Sequence, residues 1–207
     1  MSDLNPGNEK YKPIVIAGAL LSLVVGSCVL MGWVLDYHPL RTIIPGTNSM
    51  KFTTAVCFIL SGLVLLLHLR NKPVPYLLRS VLSFGVLAIA SLSLLRQLFG
   101  IDVGIDHIFV DTDSTVDGEL LPGCMAFGTA VCFILWSVAF LLMKSGFKWL
   151  KTLAQYSLHI VSLLSVLALL GYLYDVPVLY RLSTLTEMSL LTAIVLFIVS
   201  ITASFVN

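Results

Sequence analysis

A methionine followed four residues later by Thr-Ala occurs three times in the chain, beginning at Met50, at Met125 and at Met188. The heptapeptide TAVCFIL continues two of these copies, from Thr54 and from Thr129. On a helix, the Met, the residue at +4 and the residue at +8 fall within an arc of about 80°. A sulfur and a hydroxyl on one face could line a ligand pocket, whereas small Thr and Ala residues allow helices to pack closely.

Both interpretations of the repeated motif stay open on the sequence alone. Packing between helices is the simpler one. In the other, three Met sulfurs and three Thr hydroxyls surround an outward-facing pocket. The candidate ligand-binding residues are Met50, Thr54, Met125, Thr129, Met188 and Thr192.

Acidic and basic residues recur beside the ends of the apolar stretches that precede these motifs. Each of those stretches ends in a Gly, an aromatic residue and an Asp. Ion pairs at such turns would cap the chain structurally, which is the default expectation, or would recognise a charged or polar ligand. The candidate outer-face ion ring consists of Asp36, Asp102, Asp175, Arg41, Arg96 and Arg181.

The remaining polar residues predict no catalytic or metal site. The sequence contains no HExxH, no GxSxG and no CxxC motif. The four histidines, His38, His68, His107 and His159, are interpreted as isolated polar residues. The acidic stretch 111–119 has neither the Gly at the sixth position nor the Glu at the twelfth position that a calcium loop requires, and is interpreted as a solvated loop. We therefore predict a protein that is not an enzyme, and we assign no cofactor.

Composition places the chain in a membrane. Hydrophobic residues make up 58% of its 207 residues, charged residues 11%, and the mean hydropathy is +0.99. A soluble domain has roughly 25% charged residues, so too few polar side chains remain here to cover a surface in water. The net charge of +1 and the absence of a basic stripe give no indication of nucleic-acid binding. The lipid bilayer is the expected partner.

Six apolar stretches are long enough to cross a bilayer as helices of about 20 residues. The chain is thus predicted to be an all-α integral membrane protein with a single transmembrane domain over 1–207. Pro13 is predicted to lie in the first turn of the first helix. Gly18, Ser22 and Gly26 share one helix face and predict close packing against another helix. The predicted spans are 13–35, 50–69, 76–99, 123–143, 152–174 and 187–205.

The basic residues predict the orientation. Eight of the twelve Lys and Arg residues flank one side of the predicted spans. By the positive-inside rule that side is cytoplasmic, and both chain termini lie there. The predicted location is the bacterial inner membrane. The eight residues are Lys10, Lys12, Arg70, Lys72, Arg79, Lys144, Lys148 and Lys151.

Consecutive spans form repeated units. Each Met-x3-Thr-Ala copy begins an even-numbered span, so the unit is a helical hairpin whose turn lies outside the cell. The three hairpins cover about 13–69, 76–143 and 152–205. Because they have the same orientation, a pseudo-threefold axis along the membrane normal is the expected arrangement.

Stretches spread over most of the chain carry a further resemblance: Met50 with Thr54-Ala55, LFGIDVGID at 98–106, Met125 with Thr129-Ala130, GYLYD at 171–175, and Met188 with Thr192-Ala193. They resemble the multi-helix input modules of some bacterial membrane sensors, which precede a cytoplasmic histidine kinase or diguanylate cyclase. In those modules an Asn often precedes the Thr, a position that is Thr53, Gly128 or Leu191 here. No such output region follows before Asn207.

The resemblance implies a non-catalytic sensory module that acts through a fused or associated cytoplasmic output domain. A sensor of this kind would be expected to form a homodimer. The alternative is a structural accessory subunit that binds other membrane subunits in a larger complex. A small-molecule transporter is the weaker alternative, because the predicted spans contain so few ionisable residues.

Overall fold

The computed structural model describes residues 7–42, 48–69, 76–99, 125–143, 146–180 and 187–206. Within these ranges every regular element is a helix, which confirms the all-α prediction. A 3-10 turn, His38–Leu40, lies between the first two helices. The α-helices are α1 (Gly7–Val34), α2 (Phe52–His68), α3 (Tyr76–Phe99), α4 (Phe127–Leu142), α5 (Lys148–Leu173), α6 (Pro177–Tyr180) and α7 (Leu190–Ser204).

The helices differ in length in an alternating way. Tyr11–Val34 in α1, Leu77–Phe99 in α3 and Lys148–Leu173 in α5 are long and apolar enough to cross a membrane. The apolar helices α2, α4 and α7 have only 17, 16 and 15 residues. These are shorter than the spans predicted for them, because each begins two residues after its motif methionine.

Two further helix starts, those of α1 and α5, also differ from the predicted ones. Helix α1 begins at Gly7, so Pro13 lies inside it rather than in its first turn, and the prediction for Pro13 was wrong. A proline in this position removes one backbone hydrogen bond, since it has no N–H. Helix α5 begins at Lys148, four residues before the predicted start, and Phe147 is its N-cap.

Six helices form a closed circuit in which the short helices α2, α4 and α7 lie toward the interior. Helix α1 packs on α2, α3 on α4 and α5 on α7, and contacts of α2 with α3, α4 with α5 and α7 with α1 complete the circuit. Helix α7 also contacts α2 and α4. Helices α2 and α4 meet through the rings of Phe58 and Phe133, whose centroids are 5.1 Å apart. The three short helices therefore meet in the interior.

The long helices expose large apolar side chains. Phe84 and Phe99 of α3 are 63% and 68% exposed, and Leu163 and Leu173 of α5 are 59% and 74% exposed. On α2, α4 and α7 only Leu63, at 37%, is a large exposed apolar residue among those described. Contiguous apolar surface of this kind is rare on proteins in water and suits contact with lipid chains.

Small residues bring α1 close to the interior helices, as their spacing predicted. A Cβ on Gly18 would overlap the side chain of Thr202 in α7. One on Gly26 would lie 2.9 Å from the carbonyl oxygen of Ala55 in α2. Between them, the hydroxyl of Ser22 donates to the carbonyl oxygen of Phe58 at 2.7 Å. This face of α1 therefore fixes the distance between α1 and its two neighbours.

We expect Gly26→Ala to lower the stability of the protein. Its Cβ would also lie 2.8 Å from Cγ1 of Ile59, and such overpacking costs about 1–3 kcal/mol. Gly85→Ala is the matched control, since its Cβ would meet nothing nearer than Leu60 at 3.8 Å. Thermal unfolding in detergent measures both variants. A midpoint for Gly26→Ala equal to that of Gly85→Ala would contradict this packing.

Candidate functional site

The three motif copies have the same local geometry. The residue after each Met is the helix N-cap: Lys51 for α2, Ala126 for α4 and Ser189 for α7. All three N-caps have φ between −58° and −74° and ψ between 144° and 152°. Each motif Thr consequently occupies the third position of its helix. In α7 the hydroxyl oxygen of Ser189 accepts from the N–H of Thr192, so this N-cap satisfies one free amide.

The carbonyl oxygen of each motif Met accepts a hydrogen bond from the long helix of its own hairpin. Trp33 Nε1 donates to Met50 at 3.0 Å. Tyr172 Oη donates to Met188 at 2.6 Å. In the middle hairpin, Gln97 Nε2 donates to the carbonyl oxygen of Met125 at 2.5 Å. An indole, a phenol and an amide thus make the same contact in three places.

These three donors were not recognised from the sequence, because they share no residue type. A positional signal does exist. Trp33 and Tyr172 each precede an Asp by three residues, and Gln97 precedes Gly100 by three. The middle hairpin therefore aligns with the others through Gly100, rather than through Asp102 as its Phe-Gly-x-Asp stretch suggested.

The Asp residues that follow Trp33 and Tyr172 terminate their helices. Asp36 and Asp175 have φ of 50° and 53°, in the left-handed region that short polar side chains tolerate best after glycine. The next amide in each case bonds back to a glycine carbonyl, Tyr37 N to Gly32 O at 2.9 Å and Val176 N to Gly171 O at 2.8 Å. This is the Schellman end of a helix, and it accounts for the matching Gly and Asp positions.

Arg41 holds the first of these turns together. Its Nη2 lies 2.6 Å from Oδ1 of Asp36, and its Nε donates to the carbonyl oxygen of Gly32 at 2.9 Å. Its guanidinium lies 4.2 Å above the centre of the Trp33 ring, a cation–π contact. Arg41 thereby fixes the ring that donates to Met50, and its backbone carbonyl also accepts from the Met50 N–H at 2.9 Å.

One pair of the predicted ion ring lies wholly within the described residues, and it is formed. Asp36 and Arg41 form a pair within one turn. Asp175 is exposed at the end of α5, and Arg96 is half-buried in the last turn of α3. Asp102 and Arg181 lie outside the described residues. A different polar contact joins two hairpins at this end, from Asn48 Nδ2 to Glu187 Oε2 at 2.5 Å.

The six motif side chains proposed to bind a ligand are buried. The three Met residues are at most 3% exposed and the three Thr residues at most 2%. They face the interior together with Phe58, Phe133 and Leu196, the residues at +8. Close packing is thus realised, and the ligand-binding role stays a prediction. The residues are Met50, Thr54, Met125, Thr129, Met188 and Thr192.

The histidines and cysteines with described side chains are dispersed. His68 contacts Arg79, whereas His159 is exposed on α5. Cys57 and Cys132 are buried and Cys28 is exposed, all as free thiols. In the described ranges no three His, Cys, Asp or Glu side chains lie close enough to hold a metal ion.

The comparisons with known proteins gave no match. No protein-family model, no curated protein and no solved structure matches this chain. Its function is therefore inferred from its own residues and geometry.

We expect Tyr172→Phe to destabilise the third hairpin. The substitution removes only the hydroxyl and leaves a buried carbonyl of Met188 without this donor, which costs about 1–3 kcal/mol. Tyr174→Phe is the matched control, because Tyr174 is 70% exposed. The midpoint of thermal unfolding in detergent should fall for the first variant only. Equal midpoints would contradict a structural role for this hydrogen bond.

Proposed function

We propose that the chain is a membrane module of six transmembrane helices, built as three hairpins around a pseudo-threefold axis, with a sensory function. It lies in the bacterial inner membrane with both termini cytoplasmic. It is not catalytic, and it acts through a fused or associated cytoplasmic output domain. Its proposed ligand sites are the motif residues and the outer-face ion ring.

The repeated capping of the motif supports the three-hairpin arrangement. The same N-cap geometry, and the same hydrogen bond to a Met carbonyl, recur at the start of α2, α4 and α7. Helices α2, α4 and α7 meet in the interior and alternate with the longer apolar helices α1, α3 and α5 around the circuit. Interior helices of 15–17 residues suffice if their extended entry residues complete the crossing.

The observation that carries the signalling proposal is the position of α7. This helix begins at the third motif, contacts α1, α2, α4 and α5, and ends beside the start of α1, where the rings of Tyr11 and Phe205 stack at 4.8 Å. A ligand that favours one packing of the motif ends would therefore displace a helix that continues to the opposite end. An output domain attached at that end could respond to the displacement.

The two alternative functions, accessory subunit and transporter, are weighed by different observations. An accessory subunit would use the exposed apolar faces of α3 and α5 to contact other membrane subunits. A transporter is less favoured, since none of the helices α2 to α7 contains an acidic residue that could carry a coupled proton.

The orientation can be tested by cysteine labelling in a cysteine-free background. Trp149→Cys and Tyr174→Cys place exposed thiols near opposite ends of α5. We expect a membrane-impermeant reagent to label position 174 in intact spheroplasts and position 149 only in inverted vesicles. The reverse pattern would contradict the proposed orientation, and labelling of both positions from one side would contradict a crossing by α5.

The signalling function can be tested by isolating the full-length natural protein in a gentle detergent and measuring its intact mass and its associated proteins. We expect either a longer chain with a kinase or cyclase region, or a bound partner with that activity. A mass of 22.6 kDa together with constant subunits of another membrane assembly would establish the accessory role instead.

A further inference from the structure

A cavity with both polar and apolar lining lies at the end of the bundle opposite the motifs. Its volume is about 290 Å³, and it opens where the end of α2, the start of α3, the end of α4 and the start of α5 meet. Its polar lining comes from His68, Arg79, Ser80, Ser83 and Lys151, and its apolar lining is mainly from α4. The cavity thus has a charged, polar side and an apolar side.

Among the described residues, the cavity lining contains basic but no acidic side chains. The two basic side chains are those of Arg79 and Lys151. The two connections that border this end, 69–76 and 143–148, contain no Asp or Glu in their sequence and add further basic residues. Two cations at a partly desolvated site repel each other, so an anion bound between them would be stabilised.

Arg79 has unused hydrogen-bonding capacity. Its Nη1 lies 3.4 Å from Nδ1 of His68, which is a long contact. Its Nε is buried and has no hydrogen-bond partner among the described residues. A buried donor of this kind is costly unless an acceptor occupies the site, and guanidinium groups match the oxygens of phosphate particularly well.

We propose that this cavity binds a phosphate group of an anionic phosphate ester. Arg79 and Lys151 would neutralise the phosphate charge, and the hydroxyls of Ser80 and Ser83 would donate to its oxygens. The apolar wall beside them suits the acyl chain of a phospholipid, whereas a soluble phosphate ester would use the polar half alone. This inference does not depend on the proposed signalling function.

A phosphate in this position would also join two hairpins. Arg79, Ser80 and Ser83 belong to α3, whereas Lys151 belongs to α5. A shared anion would tie the second hairpin to the third at the end where α7 terminates.

The test is a titration of the purified full chain in an uncharged detergent, read by the midpoint of thermal unfolding. Phosphatidylglycerol is the lipid probe, phosphatidylcholine the neutral lipid control, and inorganic phosphate and glycerol 3-phosphate the soluble probes. A ligand that binds the folded state raises the midpoint with a saturable dependence. We expect saturable stabilisation by phosphatidylglycerol and little by phosphatidylcholine.

The variants identify the site. Arg79→Gln should weaken the apparent affinity about tenfold or more, since it removes charge-assisted hydrogen bonds. Lys51→Gln, at the N-cap of α2 and so at the opposite end of the bundle, is the control and should bind as the wild type does. If Arg79→Gln fails to fold, Lys151→Gln serves instead, because Lys151 is exposed and its replacement leaves the packing intact.

The outcomes separate the sources of phosphate. Stabilisation by the lipid alone assigns the site to a headgroup, and competition by soluble phosphate or glycerol 3-phosphate assigns it to a soluble ester. Equal affinity of the wild type and of Lys151→Gln and Arg79→Gln would overturn the proposal. Equal loss in Lys51→Gln, or no saturable response to any probe, would overturn it as well.

Discussion

Backbone groups that enter an apolar interior need partners from the protein itself, and this constraint is strictest just before the three interior helices. There the chain is extended, and the motif carbonyls cannot join a helix. Trp33, Gln97 and Tyr172 each supply a donor from the neighbouring long helix. In the first and third hairpins the left-handed residue, Asp36 or Asp175, lies three residues beyond the donor.

The same requirement explains why the helix ends are so specific. A helix that continued past Asp36 or Asp175 would carry its chain away from the short helix that follows. The left-handed residue reverses the chain, and the glycine four residues earlier accepts the returning amide. In the first hairpin Arg41 adds an ion pair and a ring contact to this arrangement. The charged residues Asp36 and Arg41 at this end therefore stabilise the backbone conformation of the turn.

Much of the fold could be predicted from sequence, since hydropathy and repeats report on each segment separately. The bounds of α3 were predicted correctly because its apolar run lies between a proline-rich connection and Gly100. The close packing of the Gly18, Ser22 and Gly26 face against another helix was predicted from small-residue spacing, and the structure adds that Ser22 bonds to α2. The Met carbonyl donors could not be predicted, because the register of each hairpin decides which side chain reaches the carbonyl. The cavity at Arg79 and Lys151 could not be predicted either, because four helices from all three hairpins form it.

The stacked rings of Tyr11 and Phe205 have a consequence for chain connectivity. They place the first turns of α1 beside the last turn of α7, at the same end as the connections between hairpins. A short linker could therefore join these two helices, and the chain could be reopened between α2 and α3 or between α4 and α5. The proximity of these two ends is the geometry that a circular permutation of the bundle requires.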